Sequence, residues 1–155
     1  MLLYQENITS YFLIFIYKEI NFRMTQKNQI LIIDDDKAIS QLLQKLFEKD
    51  YNVVSKHDGM SAMQWLTLGN LPDLIISDLD MPNINGEEFI LNLKSSGYFN
   101  QVPFIVITGY SNKEQKLRCM RLGVHDYFEK PFNPRDLVFS VEVVLKHSLK
   151  KYNVL

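Results

Sequence analysis

Residues 72–89 read PDLIISDLDMPNINGEEF. Leu74-Ile75-Ile76 is an apolar run without polar alternation, as expected of a strand buried on both faces. It stops at Ser77-Asp78. Asn83 to Gly86 are turn residues. A helix then carries Phe89, Ile90 and Leu93 on one face. A buried strand, a loop and a helix in this order form part of an alternating strand–helix chain.

The same alternation continues in both directions. Upstream, Ile30 to Ile33 is a second continuous apolar run, followed by a helix from about Lys37 to Lys49 with Ile39, Leu42, Leu43, Leu46 and Phe47 on its stripe. Tyr51 to Ser55 is a more polar strand, hence an edge. Asp58-Gly59 turns into a helix carrying Ala62, Met63, Trp65 and Leu66. Downstream, Phe104 to Ile107 is a strand ending at Thr108-Gly109. Ser111 to Glu114 has the capping-box pattern, with Ser111 as the cap of a helix that ends near Gly123. Asp126-Tyr127-Phe128 is a short fifth strand. Asn133-Pro134 caps a last helix that buries Leu137, Val138, Val141, Val144, Leu145 and Leu149. Five strands alternating with five helices predict a doubly wound α/β fold, a parallel sheet covered on both faces. Such sheets bind ligands at the carboxyl ends of their strands. The residues expected there are Asp34, Asp35, Asp36, Asp78, Thr108 and Lys130.

The bulk composition narrows the function. The chain has 155 residues, enough for one core, and its 46% hydrophobic and 23% charged residues are ordinary for a globular domain. A net charge of −1 argues against nucleic-acid binding through a broad basic field. The lone Cys119 precludes an internal disulfide and fits a reducing, cytoplasmic setting. His57, His125 and His147 have no metal-ligand spacing. Tyr11 to Tyr17, YFLIFIY, is too short to span a bilayer, which takes ~20 apolar residues. It also lacks the flanks of a signal peptide. Met24 opens a polar lead directly before the first strand. The expectation is that Met24 is the natural start, with residues 1–23 an upstream extension and 24–155 the domain. The alternative is an amphiphilic arm that touches a membrane or a partner. The closing residues KKYNVL are too few for an output domain, and the expectation is that no helix-turn-helix segment accompanies the domain.

Carboxylates brought together from several strand ends repel unless a cation neutralises them. Oxygen-only ligands suit a hard ion, and magnesium uses few protein carboxylates, often with a phosphate oxygen. Asp78 is the candidate nucleophile, because a carboxylate can attack phosphorus to form an acyl phosphate. The transfer needs positioning and charge neutralisation. Lys130 offers a compact positive charge and Thr108 a hydroxyl for the phosphoryl oxygens.

ILIIDDD at 30–36, PDLIISDLDMPNINGEEF at 72–89, VPFIVITGY at 102–110 and DYFEKPF at 126–132 together resemble the receiver domains of two-component response regulators. The resemblance covers residues 29–149 and implies a flavodoxin-like sheet of strand order 2-1-3-4-5, in a stand-alone single-domain regulator. It implies that Asp34 and Asp35 form the acidic pair for Mg2+, with Asp78, and that Asp80 adds a backbone carbonyl. Asp78 is then the phosphorylated aspartate, Thr108 the switch hydroxyl, Lys130 the phosphate-binding lysine and Tyr127 the rotating aromatic. The Lys130-Pro131 bond is commonly cis in that family. Asp36 looks like a helix-start acid beside the site. The implied partners are a sensor histidine kinase or a histidine phosphotransfer protein, and a downstream target on the face of the fourth helix, fifth strand and fifth helix. Phe139 and Val143, one turn apart, lie off the buried stripe of the last helix and suggest a partner surface or a homodimer formed on phosphorylation. The resemblance places Asp80 and Tyr110, two residues past Asp78 and two past Thr108, at the mouth of the site. There the Tyr110 ring would obstruct the water that attacks an acyl phosphate, and Asp80 would compete for its orientation. The alternative is that Tyr110 points to solvent on the partner surface.

Two other readings compete. Asp78-x-Asp80 also resembles the nucleophile motif of haloacid-dehalogenase-type phosphatases. Pro82 departs from that motif, Asp78 is on the third strand instead of opening the domain, and Asp34 and Asp35 would be left unexplained. A pseudo-receiver that only binds partners would usually lack an acid, the acceptor or the lysine, and all are present here. The expected protein is therefore no turnover enzyme beyond its own phosphorylation and slow dephosphorylation.

Overall fold

Strands β1 (Gln29–Ile33), β2 (Asn52–Lys56), β3 (Leu74–Ser77), β4 (Phe104–Thr108) and β5 (Asp126–Glu129) are all parallel and lie in the order β2-β1-β3-β4-β5. Helices α1 (Lys37–Phe47), α2 (Gly59–Thr67), α3 (Gly86–Ser95), α4 (Lys113–Arg121) and α5 (Pro134–Tyr152) follow them in turn. This computed structural model describes residues 10–18, 27–110 and 112–152, with side chains up to residue 148.

Alternate residues of each strand feed two separate cores. Ile30 and Ile32 of β1, Leu74 and Ile76 of β3, and Ile105 and Ile107 of β4 pack with Leu43 and Phe47 of α1 and Leu137, Val141 and Leu145 of α5. Leu31, Ile33, Ile75 and Val106 point the other way, against Ala62 and Leu66 of α2, Phe89, Ile90 and Leu93 of α3, and Cys119 of α4. Both faces of the central strands are dry, which is why their sequences are apolar without alternation. The outer strand β2 is only half-buried, as its mixed sequence predicted.

The order of the strands makes β1 and β3 neighbours, so their helices leave on opposite faces and the chain ends of both strands open into one crevice. The register sets Ile33 beside Ser77, and Ser77 beside Val106. The residues that follow β1 and β3 therefore emerge together.

Local differences from the sequence reading have physical causes. Strand β2 begins at Asn52, one residue later than expected. Leu42 is 45% exposed, since α1 buries a narrower stripe centred on Leu43 and Phe47. Helix α4 is capped by Asn112, whose side chain accepts from the Gln115 N–H at 2.8 Å; Asn caps as well as Ser, and the frame moves by one residue. Ser111 lies outside the described residues, as does the side chain of Leu149. The Arg135 N–H bonds the Asn133 side chain at 3.0 Å, the expected start of α5. A further helix covers 10–18, and its Tyr11, Phe12, Leu13, Ile14, Phe15 and Tyr17 are exposed and join neither core. The rest of residues 1–23 lies outside the described residues. Among the described residues no helix is long and apolar enough to cross a membrane.

Candidate functional site

The backbone extends the β1–β3 ladder past both strands: the Asp78 N–H donates to the Ile33 carbonyl at 2.9 Å. Asp34 and Asp78 are thereby placed side by side, 2% and 6% exposed. Asp35 is exposed beside them. One carboxylate oxygen from each of Asp34, Asp35 and Asp78 lies within 4.8 Å of the others. Asp36 is turned away to cap α1, accepting from the Ala38 and Ile39 N–H groups at 2.8 and 3.2 Å, which is the helix-start role expected of it.

Asn85 caps α3 through the Glu88 N–H at 2.9 Å, and Gly86 opens the helix. A Cβ on Gly86 would lie 2.5 Å from the Asp78 carbonyl oxygen and 2.6 Å from Leu79 Cα. Only glycine lets α3 start this close to the Asp78-Leu79 backbone. The Asp80 N–H donates to Asp78 Oδ1 at 3.0 Å, and the Ser77 hydroxyl donates to the Asp78 carbonyl at 2.8 Å.

Lys130, in the loop after β5, is the cation of the cluster. Its ammonium donates to Asp78 Oδ2 at 2.6 Å and to Asp34 Oδ2 at 2.8 Å. Its backbone N–H donates to the Thr108 carbonyl at 2.8 Å, which ties the loop to the end of β4. The Lys130-Pro131 bond is cis. Burial opposes the charge on Lys130, but the bonds to Asp34 and Asp78 outweigh it and hold its pKa above the ordinary lysine value. Burial pushes the Asp34 carboxyl up, against the pull of Lys130. One ammonium, bonded to two of three clustered carboxyl groups, leaves charge for a further cation to balance. The donors are all oxygen, which fits a hard ion such as magnesium.

Thr108 is fully buried, and its hydroxyl lies 2.9 Å from Asp80 Oδ2 and 3.0 Å from the Tyr110 carbonyl. Tyr127 is 6% exposed; its hydroxyl is 3.5 Å from Gln115 Oε1, and Lys116 Nζ sits 5.4 Å from its ring centroid. The structure therefore brings Asp34, Asp35, Asp78 and Lys130 together and places Thr108 and Asp80 in mutual contact beside them. The Tyr110 ring is 66% exposed, and its carbonyl is the part that meets Thr108. The sequence reading missed the Asp80 carboxylate as a partner of Thr108, and the close approach at Gly86. Asn85-Gly86 was legible as a turn, but nothing in the pattern told that the turn abuts Asp78.

Residues 30–142 match the family model described as the response regulator receiver domain. The transcriptional regulatory protein CpxR of Escherichia coli K12 is 36% identical over 122 residues, which is 78% of this chain and 50% of CpxR. Hybrid signal transduction histidine kinase D of Dictyostelium discoideum is 30% identical over 112 residues, 72% of this chain and 7% of the kinase. The structure of Vibrio cholerae chemotaxis protein CheY4 superposes with a TM-score of 0.70 at 27% identity, covering 76% of this chain and 98% of that one. The chain belongs to the response regulator receiver domain family. It spans about half the length of CpxR.

Proposed function

We propose that this chain is a phosphoacceptor: Asp78 takes a phosphoryl group from a phosphohistidine of a sensor kinase or phosphotransfer protein. The observation that carries the reading is the Lys130 ammonium held between the Asp78 and Asp34 carboxylates at the strand ends. A carboxylate oxygen of Asp78 attacks phosphorus, the new P–O bond forms as the P–N bond breaks, and the histidine nitrogen keeps the electron pair. Lys130 neutralises charge on a phosphoryl oxygen, and Thr108 donates its hydroxyl to another. Asp34, Asp35, Asp78 and the Asp80 backbone carbonyl would hold magnesium. When bound, that ion supplies charge neutralisation at the phosphoryl oxygens. A relative that is a hybrid histidine kinase supports a phosphohistidine donor.

Asp78→Asn is expected to abolish acid-stable, hydroxylamine-sensitive labelling by acetyl phosphate with magnesium. Labelling that survives would place the acceptor elsewhere. The protein performs no turnover beyond its own phosphorylation and slow release; sustained hydrolysis of small phosphomonoesters would favour the phosphatase reading instead.

The signal leaves by contact. Phosphorylation shifts the population toward a state with a changed α4–β5–α5 face. Phe139, 68% exposed on α5, supports a partner or homodimer surface there. The Tyr110 ring slows loss of the phosphoryl group by obstructing the attacking water. Tyr110→Ala should shorten the phosphoryl lifetime, timed with magnesium and no phosphatase; equal lifetimes would leave the ring as a surface residue.

A further inference from the structure

The Thr108 hydroxyl has one proton and two acceptors within reach, Asp80 Oδ2 at 2.9 Å and the Tyr110 carbonyl at 3.0 Å. A bond to a carboxylate is roughly twice as strong as one to a neutral acceptor. Thr108 is fully buried, so its proton cannot turn to water instead. Asp80 is exposed on the loop after β3, and its backbone N–H holds Asp78 Oδ1 at 3.0 Å. One residue thus touches the acceptor carboxylate with its backbone and the switch hydroxyl with its side chain.

We propose that the Asp80 carboxylate is a latch that holds the Thr108 hydroxyl in its resting position. The inference rests on Asp78 being the phosphoacceptor. A phosphoryl group on Asp78 needs the same hydroxyl proton, so it must displace Asp80 to obtain it. Every switched state loses one charge-assisted bond, which lowers its population at rest. Asp80 is a positioning residue that acts through Thr108, and this role of its side chain is separate from any role of its backbone carbonyl toward magnesium.

The test is the affinity of the full chain for beryllofluoride with magnesium, followed by fluorine NMR. Asp80→Ala and Asp80→Asn both remove the charged acceptor and leave Thr108 the neutral Tyr110 carbonyl, so a latch predicts tighter binding than the parent in both variants. Affinities no tighter than the parent's would overturn the latch. The gain from Asp80→Ala should also be about tenfold larger in the parent than in a Thr108→Val background, the size of a lost charge-assisted bond. Equal gains in both backgrounds would overturn the proposal as well. A parent that takes up no beryllofluoride would overturn the phosphoacceptor reading itself, and the latch with it.

Discussion

Helices α3 and α4 pack on one face of the sheet and are held in different ways. Helix α3 buries Gly86, Phe89, Ile90 and Leu93. Helix α4 buries only Cys119. Polar contacts add to that hold: Arg118 makes a two-pronged bond to Glu87 of α3 at 3.0 and 3.1 Å, Gln115 meets the Tyr127 hydroxyl, and Lys116 lies over the Tyr127 ring. Leu117 and Met120 remain exposed. Apolar burial fixes an element strongly, whereas exposed ion pairs add little. The loop after β3 is therefore anchored by a helix locked in the core, and the neighbouring face by a helix with little apolar burial to hold it.

The sharpest way to break the contrast is Phe89→Ala. Phe89 is fully buried against Phe104, with ring centroids 6.2 Å apart. Its truncation should cost about 3–5 kcal/mol in urea unfolding. A loss comparable to a surface substitution would mean that α3 is not anchored as described.

Gly86→Ala tests the same helix at its start. A methyl group meets backbone at 2.5 and 2.6 Å, where nothing flexible can yield. Destabilisation of about 1–3 kcal/mol is expected, together with impaired acceptor labelling as the loop moves. Full stability and full labelling would show that the loop tolerates displacement.

The smallest effect on stability belongs to α4. Arg118→Ala should leave the melting temperature unchanged while exposing Cys119 more often. Burial pushes the Cys119 thiol up to about 11, so in the closed state it is protonated and inert at neutral pH, and labelling reports opening of α4. Thiol labelling in the native protein should be several-fold faster in the variant, and an unchanged rate would place the hold on α4 elsewhere.

Much of this architecture was legible in the chain. Apolar runs at Ile30 to Ile33, Leu74 to Ile76 and Phe104 to Ile107 leave only a sheet covered on both faces, and Asp34, Asp78 and Thr108 fall at strand ends because each apolar run stops there. What local pattern could not carry was contact between distant segments. Asp80 and Thr108 are 28 residues apart, and Lys130 and Asp34 are 96 apart. Neither pairing has a periodicity to announce it. The same holds for Leu42, which matches the apolar stripe of α1 by spacing yet faces outward, because the helix meets the sheet along Leu43 and Phe47. Residue type and spacing determined which elements form and which chemistry they carry. Strand order and helix packing decided which side chains meet, because hydrogen bonds depend on distances that only the assembled sheet defines.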